Sequence, residues 1–193
     1  MSTLEQKKEK LEELVAKIKT CQLCPLYKNT TNAVPGEGNP NADILFIGEG
    51  PGKKEDELGR PFVGAAGKLL EALLQHIGLT RNDVFIANVV KHRPPGNRDP
   101  LPEEVTACWP YLQKQVEIIA PKIIVLLGRH SLARFLPELA IGKAHGKPFR
   151  KDKLVYYPMY HPAAALYNGS LREVMFQDAS RIPLILKKIN KTS

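Results

Sequence analysis

Cysteine is scarce in this chain of 193 residues, which contains three, an odd number. A disulfide framework is therefore not expected, and a reducing, cytoplasmic environment is favoured. No apolar run approaches the roughly 20 residues of a membrane span, and no signal peptide opens the chain. Repeats, low-complexity tracts and linkers are also missing, which predicts a single domain over residues 1–193 and no membrane partner.

Acidic residues are outnumbered as well. The chain has 28 Lys and Arg against 20 Asp and Glu, so the net charge is +8 at pH 7 and the pI is about 9.4. This surplus favours a polyanionic partner such as nucleic acid, although many basic proteins bind none. The hydrophobic content of 43% is ordinary for a globular protein of this length, which can bury a sizeable core.

Short apolar runs alternate with segments of helical periodicity along the chain. The runs predict strands in residues 42–49, 83–90, 121–128 and from 153 onward, where the last strand turns into a loop. Helices are predicted in 3–20, 66–79, 102–120, 129–136 and 170–189, the last with a break or kink at Pro183. This alternation predicts an α/β fold with a parallel sheet covered on both faces. Ligands of such folds bind beyond the carboxyl ends of the strands, so we expect the site in the loops that follow them.

The first of these loops, IGEGPGKKEDELGRPFVG (47–64), is rich in glycine, as is typical where backbone approaches a ligand. Within it, GEGPGK lacks the third glycine of the dinucleotide fingerprint, and no helical pattern follows at once. The overlapping FVGAAGKL lacks the first glycine of a P-loop and the Ser or Thr after its lysine. Binding of NAD or ATP is therefore not predicted.

The cysteines show the spacing of a metal or redox site. Cys21 and Cys24 form a C-x2-C pair, and Cys108 lies inside a later helix. Two cysteines in one short loop usually share a metal, an iron–sulfur cluster or a redox function. Cys108 taken alone reads equally well as a small core residue. Three cysteines and a histidine could hold zinc or a [4Fe–4S] cluster, and the spacing does not choose between them.

Three loops together resemble the family 4 uracil-DNA glycosylases: GEGPGKKEDELGRPFVG, NVVKHRPPGNRDP and HPAAAL. Their order and spacing match, the C-x2-C pair lies upstream, and the resemblance covers about residues 20–187. It implies a three-layer α/β/α fold with a four-stranded parallel sheet. It also implies a monomeric enzyme of base excision repair that flips uracil out of DNA, hydrolyses its N-glycosidic bond, releases free uracil and leaves an abasic site.

Members of this family hold a [4Fe–4S] cluster with four cysteines, which correspond to Cys21, Cys24, position 92 and Cys108. Position 92 is histidine here, which departs from the family pattern. A DNA-crosslinking branch also carries VKH at this point, but it has a longer basic insert that this chain lacks. An engineered change of Cys to His would produce the same sequence. We expect His92 and the three cysteines to hold a [4Fe–4S] cluster, with zinc as the alternative.

The resemblance also implies a uracil pocket. Phe62 is expected to stack on the flipped base, and Asn88 to accept from uracil N3–H and donate to O4, a pattern that cytosine reverses. Glu55 corresponds to the residue that crowds the C5 methyl of thymine, and the Gly50 N–H faces the base. Without the motif, the first three residues have plainer interpretations as a core aromatic, a satisfied buried amide and a solvated carboxylate.

His161 is the expected catalytic donor, because it can hydrogen-bond uracil O2 as negative charge develops there. Glu49 ranks below it, as the nearest carboxylate for positioning the attacking water. Leu166 is a candidate wedge in the base stack, or else a plain turn residue. Contacts to the DNA backbone are expected from four further residues: Arg93, Arg98, Ala163 and Arg172.

Two other functions remain open at this point. One is a relative that holds uracil covalently without turnover, which the missing basic insert disfavours. The other is a zinc-dependent nucleic-acid-binding module without catalysis, which Asn88 and His161 in matched loops disfavour.

Overall fold

The computed structural model describes residues 3–192, in which a single mixed sheet forms the centre of the fold. Its strands are β1 (Glu37–Gly38), β2 (Ile44–Gly48), β3 (Phe85–Asn88), β4 (Ile123–Leu127), β5 (Phe149–Lys151) and β6 (Leu154–Met159). The spatial order is β1-β3-β2-β4-β6-β5. Strands β3, β2, β4 and β6 run parallel, whereas β1 and β5 pair antiparallel at the two edges.

The α/β class and the four parallel strands are confirmed, but the expected count of four strands is too low. The two additional strands contain only two and three residues. Segments of this length are too short to display the alternation that reveals a strand in a sequence. Strand β1 pairs with β3, which lies far away in the sequence, and β5 pairs with β6, the next strand, as a hairpin.

Helices cover both faces of the sheet. They are α1 (Leu4–Lys19), α2 (Lys53–Leu58), α3 (Ala65–His76), α4 (Pro102–Ile119), α5 (Arg129–Phe135), α6 (Ile141–Ala144), α7 (Pro162–Tyr167), α8 (Ser170–Ala179) and α9 (Ile182–Thr192). Short 3-10 turns occupy Pro25–Asn29 and Pro95–Asn97. The break expected near Pro183 is present, because α8 and α9 are separate helices.

Two expectations about loops are wrong. A helix, α2, does follow the first glycine-rich segment at once; it has six residues and ends at Gly59 in the left-handed region (φ 66°). The segment after His161 forms α7 rather than a loop, with Pro162 in its first turn. Both helices are too short to carry a periodic apolar stripe, so neither produced a helical signal.

The core divides at the sheet into two hydrophobic clusters. Leu45 and Ile47 of β2 pack with α1, α4 and α5, whereas Ile44 and Phe46 of the same strand pack with α3, α8 and α9. Alternate residues of one strand thus serve opposite faces, which is the three-layer α/β/α arrangement expected. Within residues 3–192, no helix combines the length and apolarity needed to cross a membrane.

Candidate active site

A cavity of about 320 Å³ lies where the parallel strands end. Its walls come from the loops after β2, β3 and β6, as expected for ligand sites in parallel sheets. Most of the predicted pocket residues line it: Glu49, Gly50, Glu55, Phe62, Asn88, Arg98, His161 and Ala163. The predicted DNA contacts Arg93, Leu166 and Arg172 lie outside this lining. The cavity has the size range of a small-molecule or base pocket.

Asn88 is the last residue of β3 and is 2% exposed. Its side-chain oxygen Oδ1 is buried and has no hydrogen-bond partner among the described residues. The neighbouring strand supplies Gly48 opposite Asn88, and a Cβ there would collide with Oδ1 and with the ring of Phe62. A buried acceptor without a donor costs about 1–3 kcal/mol. Asn88 belongs to the cavity wall, which therefore contains an amide whose acceptor is unused.

Phe62 forms part of the cavity wall beside His161. Its ring centroid lies 5.5 Å from that of His161, and the ring planes are inclined by 30°. The backbone of Phe62 has a φ of 52°, in the left-handed region that residues with a side chain rarely adopt. A Cβ at Gly67, one turn into α3, would collide with the Phe62 backbone. The turn thus depends on a glycine in the following helix.

His161 caps the N-terminus of α7. Its Nδ1 accepts a hydrogen bond from the Ala163 N–H at 3.1 Å, which assigns the proton of the neutral ring to Nε2. Burial lowers the pKa of His161 to about 4. The imidazole is therefore neutral near pH 7, and its available group is an Nε2–H donor rather than a charged ring.

Glu49 lies in the cavity wall next to a histidine and a second carboxylate. Its Oε2 is 3.6 Å from His130 Nε2, and the same nitrogen lies 3.2 Å from Asp99 Oδ1. Burial raises the pKa of Glu49, and nearby Asp99 adds to the effect, whereas His130 opposes it. His130 and Asp99 were not predicted as site residues, although His130 lies in the first turn of α5, directly after β4 and at the edge of the sheet where the site was expected.

Glu55 has a structural role in addition to its place in the cavity wall. Its Oε1 accepts hydrogen bonds from the N–H groups of Val63 at 2.9 Å and Gly64 at 2.8 Å. These amides precede α3, so the carboxylate fixes the turn between Phe62 and the start of that helix. This contact was not predicted from the sequence.

The predicted phosphate ligands Arg93 and Arg98 already have partners. Arg98 donates to both oxygens of Glu104, at 2.6 and 2.9 Å, and Glu104 is 2% exposed. Arg93 donates through Nε to Asn97 Oδ1 at 2.7 Å. Arg98 is thus held against the cavity by a bidentate ion pair, which leaves fewer of its donors for a phosphate.

Two large side chains project from the end of α7. Leu166, the predicted wedge, is 51% exposed, and Tyr167 is 93% exposed. Of the two, Tyr167 belongs to the cavity lining. It was not singled out from the sequence, where one tyrosine after a short apolar run carries no distinctive signal. Arg172 lies further on, with its guanidinium 5.7 Å from the ring centroid of Phe176.

Cys21, Cys24 and Cys108 are free, buried and close enough to influence one another. Burial raises the pKa of Cys108 to about 11, and nearby Cys24 and Cys21 raise it further. His92 is 4% exposed, and its Nδ1 has no hydrogen-bond partner among the described residues. The three neighbouring thiols are suitable ligands for a metal centre, whereas the pKa of His92 is lowered by burial and raised in part by nearby Asp56.

The distances between the ligand atoms of the three cysteines and His92 indicate which kind of metal centre these residues can hold. Ligand atoms around tetrahedral zinc lie about 3.8 Å apart, because Zn–S bonds are about 2.3 Å long. Within the described part of the chain, no three ligand atoms from Cys21, Cys24, His92 and Cys108 lie within 4.8 Å of one another. The arrangement is therefore wider than a closed zinc site.

Comparison with known proteins gives consistent results. The model of the uracil DNA glycosylase superfamily matches residues 35–181. A type-4 uracil-DNA glycosylase of Sulfurisphaera tokodaii is 50% identical over 90% of this chain and 84% of its own length. The proteins of that name from Archaeoglobus fulgidus and Thermotoga maritima are 48% and 46% identical, over 90% and 94% of this chain and 92% and 97% of their own lengths.

Proposed function

The chain belongs to the type-4 uracil-DNA glycosylases, and we propose that it excises uracil from DNA with the residues of the cavity at the end of the sheet. The observation that carries the assignment of residues is the unpartnered Oδ1 of Asn88. Uracil N3–H is a donor of the kind that this acceptor lacks, and cytosine presents an acceptor at the same position. An amide that presents this acceptor to N3 therefore distinguishes the two bases.

Base binding requires that the nucleotide leave the helical stack. Phe62 supplies the aromatic surface for the extruded base, and stacking of this kind is worth about 1–3 kcal/mol. Glycine at positions 48 and 50 leaves backbone close to the cavity; a side chain at Gly50 would collide with Val90. These residues hold the base by its face and by its Watson–Crick edge.

In the bond-breaking step, the oxygen of water bonds to the sugar C1′ while the C1′–N1 bond breaks. The bonding pair leaves with uracil, and the negative charge spreads to O2. The neutral Nε2–H of His161 is suited to donate to that oxygen, and a preorganised donor of this kind is worth a factor of about 10²–10³. Glu49 orients the water and takes its proton.

The partner is uracil-containing DNA, and the products are free uracil and an abasic site. Arg98, Ala163 and Tyr167 line the cavity, and Leu166 directly precedes Tyr167 on α7. Phosphate contacts through these groups would give affinity without sequence preference. The monomeric state and the cytoplasmic location remain predictions.

We further propose that Cys21, Cys24, His92 and Cys108 hold a [4Fe–4S] cluster, with zinc as the second choice. No three of these ligand atoms lie within 4.8 Å of one another in the described residues, which disfavours a closed zinc site. Such a cluster supplies redox-active iron when bound, but hydrolysis needs no electron. Its role here is structural, because the ligands join the loop after α1 to α4.

The direct test is incubation with an oligonucleotide that contains one uracil, followed by alkaline cleavage at abasic sites. We expect strand cleavage at the uracil and none in the matched thymine and cytosine oligonucleotides. A denaturing gel of the same reaction distinguishes turnover from covalent capture, since a protein–DNA adduct without released uracil would contradict the proposal. DNA binding without either product would indicate a non-catalytic module.

A further inference from the structure

The backbone turn that presents Phe62 is held in an unfavourable conformation by charged side chains of other elements. With a φ of 52°, Phe62 occupies the left-handed region without being glycine. Such a conformation persists only where the surroundings determine it. The groups that hold this turn therefore control where the ring points.

Arg81, in the connection between α3 and β3, contacts this turn and does not belong to the cavity lining. Its Nη1 donates to the carbonyl oxygen of Phe62 at 3.0 Å, and its Nη2 donates to that of Pro61 at 2.6 Å. The side chain is 16% exposed. A guanidinium donates in a fixed fork, so two adjacent carbonyls held by one group fix the orientation of the peptide between them.

Glu37 on β1 anchors the guanidinium. Its Oε1 accepts from Arg81 Nε at 2.9 Å and Nη2 at 2.6 Å, and its Oε2 accepts from Arg60 Nε at 2.7 Å. Burial opposes ionisation of Glu37, but its bonds to Arg60 and Arg81 lower its pKa overall. The anchor is thus an ionised carboxylate between two guanidinium groups.

The opposite end of the turn is fixed independently. Glu55 accepts from the N–H groups of Val63 and Gly64, whereas Arg81 donates to the carbonyls of Pro61 and Phe62. Carbonyls and amides of one four-residue turn are therefore bound by opposite charges on different elements. Arg81 and Glu37 do not line the cavity, so neither touches the base.

We propose that Arg81, anchored by Glu37, is a positioning residue that holds the Phe62 turn and so sets the stacking surface for uracil. The proposal rests on the function assigned to Phe62 above. It adds two residues, outside all the recognised motifs, on which base binding depends.

The test compares Arg81→Met, which keeps the aliphatic stem, with Arg60→Ala as the matched control. Arg60 shares the Glu37 carboxylate but is 58% exposed and donates to neither carbonyl. The readouts are the single-turnover excision rate and the inhibition constant of free uracil, which does not depend on the fraction of active enzyme. We expect Arg81→Met to lower the rate and weaken uracil inhibition about tenfold each, through lost stacking. Arg60→Ala should stay within about twofold.

A double-mutant cycle with Phe62→Ala establishes that Arg81 acts through Phe62. In the Phe62→Ala background, Arg81→Met should change either readout by less than about twofold. Equal losses in both backgrounds, or an unchanged inhibition constant in folded Arg81→Met, would overturn the proposal. If Phe62→Ala alone had no effect, the stacking assignment itself would be wrong, and the role of Arg81 with it.

Thermal unfolding of each variant shows whether it is folded. Should Arg81→Met fail to fold, Arg81→Lys and Glu37→Gln provide the same test. Lysine can reach one carbonyl but not both, and glutamine weakens the anchor while keeping its size. Both should shift the uracil inhibition constant in the direction expected for Arg81→Met, but less; wild-type constants in both would overturn the proposal.

Discussion

Substitution of Asn88 by alanine is the most direct test of the proposed recognition of uracil by this side chain. In wild-type enzyme, the amide would satisfy uracil N3–H through Oδ1 and O4 through Nδ2. In Asn88→Ala, both groups of the bound base would lose their partners. Each unsatisfied group costs about 1–3 kcal/mol, so a loss near 3 kcal/mol, or about 10²-fold in rate, is expected.

The same substitution should leave the free enzyme stable. Oδ1 of Asn88 has no partner in the structure, so its removal deletes an unsatisfied acceptor and no hydrogen bond from that atom. The melting temperature should therefore fall little or even rise, while activity falls. This opposite response separates loss of base recognition from general destabilisation, which would lower both.

The assay is single-turnover excision on a uracil oligonucleotide, with DNA affinity measured in parallel on the matched thymine oligonucleotide. Asn88→Asp serves as the isosteric control, because a carboxylate keeps the size but faces O4 without a donor; it should lose as much activity as alanine. Excision by Asn88→Ala within about threefold of the wild-type rate would refute the pocket assignment.

Three other predictions concern the pocket wall, the pH dependence and the metal. Glu55→Gly should allow measurable thymine release from a T·G oligonucleotide. It should also lower the melting temperature, because the N–H groups of Val63 and Gly64 lose their acceptor. If the variant stays active on uracil without releasing thymine, another residue excludes the thymine methyl. Burial raises the pKa of Glu49, so the excision rate should decline on acidification at a pH above the usual Glu pKa of about 4.3. The Glu49→Gln variant should lack this acidic decline. A decline only near pH 4 would implicate His161 instead. His92→Cys should retain about four irons per chain by elemental analysis, show a lower cluster potential in a redox titration and leave excision unchanged. Stoichiometric zinc without iron in anaerobically prepared protein would contradict the cluster.

The elements predicted correctly from the sequence are those whose own residues determine them. The apolar run in 83–90 contains β3, and the helical period in 102–120 matches α4 almost to the residue. Strand β1, by contrast, exists because two residues pair with β3 some fifty positions later, and α6 and α7 are one or two turns long. Local periodicity contains no information about such elements.

The site residues show the same contrast between what local sequence determines and what distant contacts determine. Residues inside the three matched loops were identified from the motifs, and most of them meet in one cavity. The side chains that support the site were not identified, because their partners are distant in the sequence. Arg81 and Glu37 are 44 positions apart, and Arg129 and Asp99 are 30 positions apart. Tertiary packing decides such partners, and no single segment encodes them.

Unfavourable local features coincide with three of the residues to which a function is assigned. Within residues 3–192, the buried side-chain atoms without a hydrogen-bond partner are Asn88 Oδ1 and His92 Nδ1. The first belongs to a residue of the cavity wall, and the second to a residue expected to bind metal. Phe62, with its positive φ, lies in the wall beside Asn88. Each feature costs free energy in the unliganded protein, and each would be offset if a base or a metal supplied the missing partner or contact. A ligand that does so must stabilise the fold as it binds, so uracil and the metal should each raise the melting temperature.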